Sequence, residues 1–215
     1  MDIFPLGHSS FRIKGKNVTV ITDPFDPELV GFPFPKHIAG DIVTVSHGHT
    51  DHAHTSVIEG SPYIVEGAGE YEIKGVGIIG VPLFHDAEKG KTRGGVTAYH
   101  MEVDGVNIVH LGDVGSALTS VDVEALNGVD ILFIPVGGTV TIDANQAASI
   151  ISELEPSIVI PMHYKTSRHS TKEFGMLADV SSFLKIMGKE DVQPIPKLST
   201  TKDKLPAEMQ IVVLE

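Results

Sequence analysis

Apolar and polar residues alternate with a period of two through most of the first half of the chain, the pattern of strands with one face against a core. The segments FRIK (11–14) and NVTVIT (17–22) flank Lys14-Gly15-Lys16, which predicts a hairpin ending at Asp23-Pro24. Residues 41–47, DIVTVSH, form a short β-branched run that predicts a buried strand delivering His47 to the loop beyond it. Further strands are expected at PYIVE, YEIKG and VGIIGVPLF, and a second hairpin from VTAYHMEV through Asp104-Gly105 to VNIVHLG.

Beyond residue 115 the period changes. A short helix is predicted over Val121 to Leu126, a strand at ILFIPV, and a helix from Ala144 to Leu154, where Asp143 caps and Gln146 holds the reciprocal position of a capping box. IVIPMH reads as a strand ending in a histidine. A helix from Val180 to Met187 closed by Gly188, and a strand at QIVVL, complete the chain. Strands first and helices late predict an α+β layered fold rather than a regular βαβ repeat.

The chain has 215 residues, 41% of them hydrophobic, enough for a substantial core and consistent with one domain over 1–215. It contains no cysteine, so a metal would have to be held by imidazole and carboxylate groups. The start, MDIFPLGHSS, lacks a cationic region followed by an apolar run, and no apolar stretch has the length of a membrane span; a cytoplasmic location is the expectation. A formal net charge of -12 disfavours nucleic acid as a partner, because polyanion affinity comes mainly from Lys and Arg. A small-molecule substrate, anionic included, fits better, and a homo-oligomer stays open.

The eleven histidines change the picture through their placement. Ser46-His47-Gly48-His49-Thr50-Asp51-His52 concentrates four ligand-type side chains directly after a buried strand. Alternate residues of an extended segment point the same way, so His47 and His49 can grip one ion while the next turn directs Asp51 and His52 to a second. A solvated polar loop is the bland alternative, and the density of ligand types weighs against it. Two ions need more donors, and three other strand ends supply them: His85 after VGIIGVPLF, Asp113 after VNIVHLG, and His163 closing IVIPMH. Singly, each is as easily a cap or turn former.

Together these residues resemble the metallo-β-lactamase superfamily: Asp23 at a strand end, the H-x-H-x-D-H run at 47–52, His85, Asp113 and His163 occur in the family's order. Gly7-His8-Ser9-Ser10-Phe11 and Ile160-Pro161-Met162-His163-Tyr164 resemble its branch of small hydrolases that includes ascorbate-phosphate lactonase. The resemblance implies a four-layer αββα sandwich, two mixed sheets face to face with helices outside and the site at one edge. It implies two divalent ions, zinc first with manganese or iron as alternatives: His47, His49 and His85 around one, Asp51, His52 and His163 around the other, Asp113 between them. Asp23 would orient a ligand histidine.

The chemistry expected is metal-dependent hydrolysis of an ester-like bond in a lactone, thioester or phosphodiester, of a phosphorylated metabolite for example. A hydroxide shared by the ions would attack and Asp51 would take up a proton. A metal-stabilised binding or sensor protein without turnover is the rival reading. Arg93 is a candidate for an anionic group on the substrate, and Tyr164 or His54 for assisting the leaving group. His110 competes with His85 as a ligand, but strand alternation turns it to the face opposite Val109 and Leu111. His8 and His54 are read as exposed or mouth-lining, and His37, His100 and His169 as surface or packing residues.

Overall fold

The structure is a computed structural model describing all residues, Met1–Glu215. Strands β1 (Asp2–Gly7), β2 (Ser10–Lys14), β3 (Thr19–Thr22), β4 (Ile42–Val45) and β5 (Tyr63–Glu66) fall in the first third of the chain. They are followed by β6 (Gly69–Ile73), β7 (Val76–Phe84), β8 (Gly95–Val103), β9 (Val106–His110), β10 (Ile131–Pro135), β11 (Ile158–Met162), β12 (Leu198–Ser199) and β13 (Gln210–Ile211). One sheet has the order β12-β1-β2-β3-β4-β5, the other β13-β11-β10-β9-β8-β7-β6. Both are mixed: β3, β4 and β5 run parallel, as do β9, β10, β11 and β13, while the remaining neighbours are antiparallel.

The alternation seen in the sequence sorts side chains between two cores. Ile13, Val20 and Ile42 from the first sheet meet Ile78, Tyr99, Met101, Ile108 and Phe133 from the second in the layer between them. The intervening positions Ala98, Val109, Leu132 and Ile134 turn outward and pack under helices α2 (Ser120–Leu126), α3 (Ala144–Leu154) and α5 (Val180–Ile186). With both faces covered, β10 reads as an unbroken apolar run. The outer face of the first sheet is covered by Phe25, Phe32 and Phe34 of the 24–41 segment and by two four-residue helices, α1 (Pro27–Val30) and α4 (Thr171–Phe174). The expected αββα sandwich is therefore present, with one outer layer made largely of loop.

Most element boundaries follow local chemistry. Helix α3 spans Ala144–Leu154 and has the expected reciprocal bonds between Asp143 and Gln146. Helix α2 starts at Ser120, one residue earlier than the apolar pattern indicates, because Thr119 and Asp122 form a second capping box. Helix α5 ends at Ile186 with Met187 as its cap. The run QIVVL pairs only at Gln210–Ile211; Leu214 then bridges to Ile195. Asp104 and Gly105 both have positive φ, 54° and 77°, the turn whose twist matches a two-residue hairpin.

Candidate metal centre

Because β3 and β4 run parallel in one sheet and β9, β10 and β11 in the other, their C-terminal ends deliver loops rather than hairpins. Strand β7 ends beside the start of β8, with Phe84 paired to Gly95, which brings His85 to the same rim. The two sheets are tied there by a hydrogen bond from the Thr97 N–H to the Ser46 carbonyl, 2.8 Å. Asp23, His47, His85, Asp113 and His163 thus emerge from five strand ends onto one edge.

Donor atoms of His47, His49 and His85 lie within 4.8 Å of one another, and so do those of Asp51, His52 and His163. Asp113 joins the groups: its Oδ2 is 3.6 Å from His85 Nε2, 3.3 Å from His52 Nε2 and 3.1 Å from His163 Nε2. Each group could hold a divalent ion, and the residues fit one on chemical grounds. His52 Nε2, His163 Nε2 and Asp113 Oδ1 are buried without a hydrogen-bond partner, a costly arrangement unless a cation satisfies it. The all-nitrogen and oxygen donor set suits zinc, manganese or iron.

Electrostatics at the centre follow from burial and proximity. Burial alone would raise Asp113, but the neighbouring His163 and His52 hold it well below the usual carboxylate range. His52 shows the reverse balance: burial favours the neutral ring, and the carboxylates of Asp113 and Asp23 outweigh it and raise its pKa well above the ordinary value. Asp51 is lowered despite burial, by contact with His8 and the charge of His52. Burial pushes His47 down to about 3. Asp23 lies beneath the rim, where its carboxylate accepts bonds from the Ser46 N–H (2.8 Å) and hydroxyl (2.6 Å) and pairs with His52 Nδ1 at 2.8 Å.

Three residues here occupy the left-handed region directly after a strand: His8 (φ 55°), Asp23 (φ 39°) and His163 (φ 51°). For non-glycine residues this costs on the order of 1 kcal/mol each and persists where surrounding structure enforces it. Gly137 is part of that enforcement, since a Cβ there would lie 2.1 Å from the His163 carbonyl oxygen.

The centre opens into a cavity of about 300 Å³. Leu29, Val140, Phe174, Met176 and Leu177 form its apolar wall, and Arg93 and Glu173 line it together with His49, Asp51, His85, Asp113 and His163. The loop carrying Arg93 is organised by Asp86, whose carboxylate accepts backbone N–H bonds from Glu88, Gly90, Thr92 and Arg93.

Other candidates lie elsewhere. Tyr164 packs in the apolar cluster with α3 and α5 and lines a second cavity with His8 and Glu215, and it is not among the residues lining the cavity at the centre. His54 precedes a 3₁₀ turn and sits 4.0 Å from Asp26, and it does not line the cavity. His110 is buried between the sheets, pairing with the Ser9 carbonyl at 2.9 Å. His37 pairs with Glu59 at the surface. His8 departs most from its sequence reading. Far from being exposed, it is buried, 3.4 Å from Asp51 and with its ring centroid 4.4 Å from that of His163. The available sequence signal was its place at a strand end in Gly7-His8-Ser9-Ser10.

Comparison with known proteins agrees with this geometry. The family model described as "Beta-lactamase superfamily domain" matches residues 2–163. A UPF0173 metal-dependent hydrolase of Thermococcus onnurineus is 31% identical over 215 residues, covering 85% of this chain and 90% of the relative. A crystal structure from Thermotoga maritima, assigned as a Zn-dependent hydrolase of the metallo-beta-lactamase superfamily, superposes with a TM-score of 0.81 at 32% identity, covering 99% and 97% of the two chains. Igni18, a metallo hydrolase of Ignicoccus hospitalis, shares the fold at a TM-score of 0.64 and 21% identity, over 93% of this chain and 99% of its own. Two face-to-face mixed sheets with a histidine and aspartate cluster on one rim define the class of the metal-dependent hydrolases. The chain belongs to the metallo-β-lactamase superfamily.

Proposed function

We propose that this protein hydrolyses an ester-like bond, in a lactone, thioester or phosphodiester, of a small anionic metabolite, using two divalent ions at the rim of the sandwich. One observation carries the reading: His47, His49 and His85 on one side and Asp51, His52 and His163 on the other converge on Asp113, whose Oδ2 lies within 3.6 Å of a member of each group. Bound ions supply Lewis acidity and bring the pKa of water toward about 7, which provides a nucleophile in a chain whose pocket offers no cysteine.

The protein's own residues then have separate tasks. Asp51, which lines the cavity beside His52 and His163, is the group assigned to accept the proton released on attack. Arg93 receives the anionic group, and the wall of Leu29, Val140, Phe174 and Leu177 takes the apolar part of the substrate. The cavity volume suits a metabolite rather than a polymer. Zinc is the first candidate ion, supported by the designation of the Thermotoga maritima relative, with manganese and iron sharing the donor chemistry.

The test is to strip the protein with chelator, reload it with Zn²⁺ or Mn²⁺, and screen lactones (phosphorylated ones included), thioesters and phosphodiesters. Hydrolysis of one class, lost on chelation and restored by metal, is expected. Retention of two ions with no turnover in any class would make this a metal-stabilised binding or sensor protein.

A further inference from the structure

His8 is buried at the metal rim beside Asp51, His52 and His163, and its Nε2 has no hydrogen-bond partner. That atom and the donor atoms of Asp51, His52 and His163 all lie within 4.8 Å of one another. Ligands held about 2.1 Å from one ion sit about 3.4 Å apart in a tetrahedral set. Neighbouring separations here are of that size, 3.4 Å from His8 Nε2 to Asp51 Oδ2 and 3.7 Å from Asp51 Oδ2 to His52 Nε2. The backbone also aims the side chain. His8 takes the left-handed conformation directly after β1 (φ 55°), its carbonyl accepts a bond from the His163 N–H at 3.4 Å, and the two ring centroids stand 4.4 Å apart.

We infer that His8 Nε2 is a fourth protein ligand of the second ion, beside Asp51, His52 and His163. The inference rests on the two-ion reading of the site and extends its donor set. A buried ring nitrogen without a partner is costly in either tautomer, and a cation satisfies it in the tautomer whose lone pair is on Nε2. The proton is then on Nδ1, which faces His169 Nε2 at 3.2 Å. His169 Nδ1 has the Thr166 hydroxyl at 2.9 Å and the Thr166 N–H at 3.1 Å, so it can donate to the one or accept from the other. The His8–His169 contact is thus satisfied in both directions without an ion. Ligation selects the direction in which His8 Nδ1–H donates to His169, the outer partner that a ligating imidazole ordinarily has. The four side chains make a complete set for a four-coordinate ion before Asp113 or water is counted.

The full chain labelled with ¹⁵N-histidine and loaded with ¹¹³Cd²⁺ reads the ligands directly, through scalar coupling across each metal–nitrogen bond. Coupling to His8 Nε2 is expected together with coupling to His52 and His163. Coupling at His52 and His163 with none at His8 overturns the inference and leaves the two-ion reading standing. No coupling at any histidine defeats the two-ion reading, and the inference with it. Zn²⁺ affinity, measured by competition with a chromophoric chelator, supplies the second readout. His8→Asn keeps a residue that tolerates the left-handed backbone but withdraws the ring nitrogen. One of the two binding steps should weaken more than about 100-fold and the other stay within about threefold, whereas His169→Ala, which removes only the outer partner, should cost about 10–100-fold at the same step. A His8→Asn loss no larger than that of His169→Ala would make His8 an orienting residue and overturn its ligation.

Discussion

His52 Nδ1 stands 2.8 Å from Asp23 Oδ2, with both side chains fully buried, which leaves His52 Nε2 facing Asp113 at 3.3 Å. The carboxylate fixes which ring nitrogen is free for the metal rim and also holds Ser46 through two further bonds. Asp23→Asn keeps a residue tolerant of the left-handed backbone but replaces one acceptor by a donor. Affinity at the second ion site should fall about 10–100-fold, and the metal-free protein should lose about 3 kcal/mol in urea unfolding, as when one partner of a buried pair is removed. Unchanged chelator competition curves would contradict the orienting role.

Asp113 and His163 separate the two ions experimentally. Asp113 touches members of both donor groups, whereas His163 belongs to one. Asp113→Ala should leave less than one ion per chain by elemental analysis after gel filtration, and hydrolysis should fall at least about 100-fold, the scale of losing a metal's charge stabilisation. His163→Ala should retain about one ion. Equal metal content in wild type and both variants would refute the assignment.

How much of this was legible in the sequence depends on the range of the interaction. The run His47 to His52 announces itself because four ligand types share one loop, and His85, Asp113 and His163 because each interrupts an apolar strand. The strands were legible from the period-two alternation, the two face-to-face sheets from the resemblance to the metallo-β-lactamase superfamily, and α3 from its capping box. The contact between His8 and His169 was not, since neither residue has a ligand-type neighbour in sequence and only the packing of the 163–170 loop against the end of β1 joins them. Tyr164 parts from its neighbour for a local reason: it is next to a ligand-type residue, but His163 takes a left-handed backbone (φ 51°) after β11, and Tyr164 enters the cluster under α3 and α5. The helices α1 and α4 were missed because four-residue elements carry no period.

Arg93 is the cation that lines the cavity, on a loop whose turn is closed by four N–H bonds to Asp86. Arg93→Ala should raise KM for an anionic substrate roughly 10–100-fold, the value of a charge-assisted bond of about 1.5–3 kcal/mol, with kcat little changed. Asp86→Ala should reproduce the KM effect with the arginine still present, because the loop loses its acceptor. An uncharged substrate of the same bond type should be indifferent to both. A uniform loss of kcat across charged and uncharged substrates would place Arg93 in the chemistry rather than in binding.

Stability of the metal-free protein should peak at about pH 7. Burial holds His8 and His47 down at about 3, so between about pH 3 and 6.5 the unfolded chain binds more protons than the folded one, and stability falls as the medium is acidified. His85 and His110 are shifted in the same direction, also by burial. From pH 6.5 to 5.5, His8 and His47 should together cost about 2 kcal/mol. His52 acts on the other side: its raised pKa contributes stability that is complete below pH 6.5 and lost as the pH climbs through the raised value. The lowered carboxylates of Asp23, Asp51 and Asp113 add nothing in this window, because their contribution is lost only when the pH drops below about 4. Urea titrations in EDTA at about pH 5.5, 7 and 9 should therefore give a maximum at the middle value. A stability that rises steadily from about pH 7 to 9 would show that His52 is not held as a cation between Asp23 and Asp113.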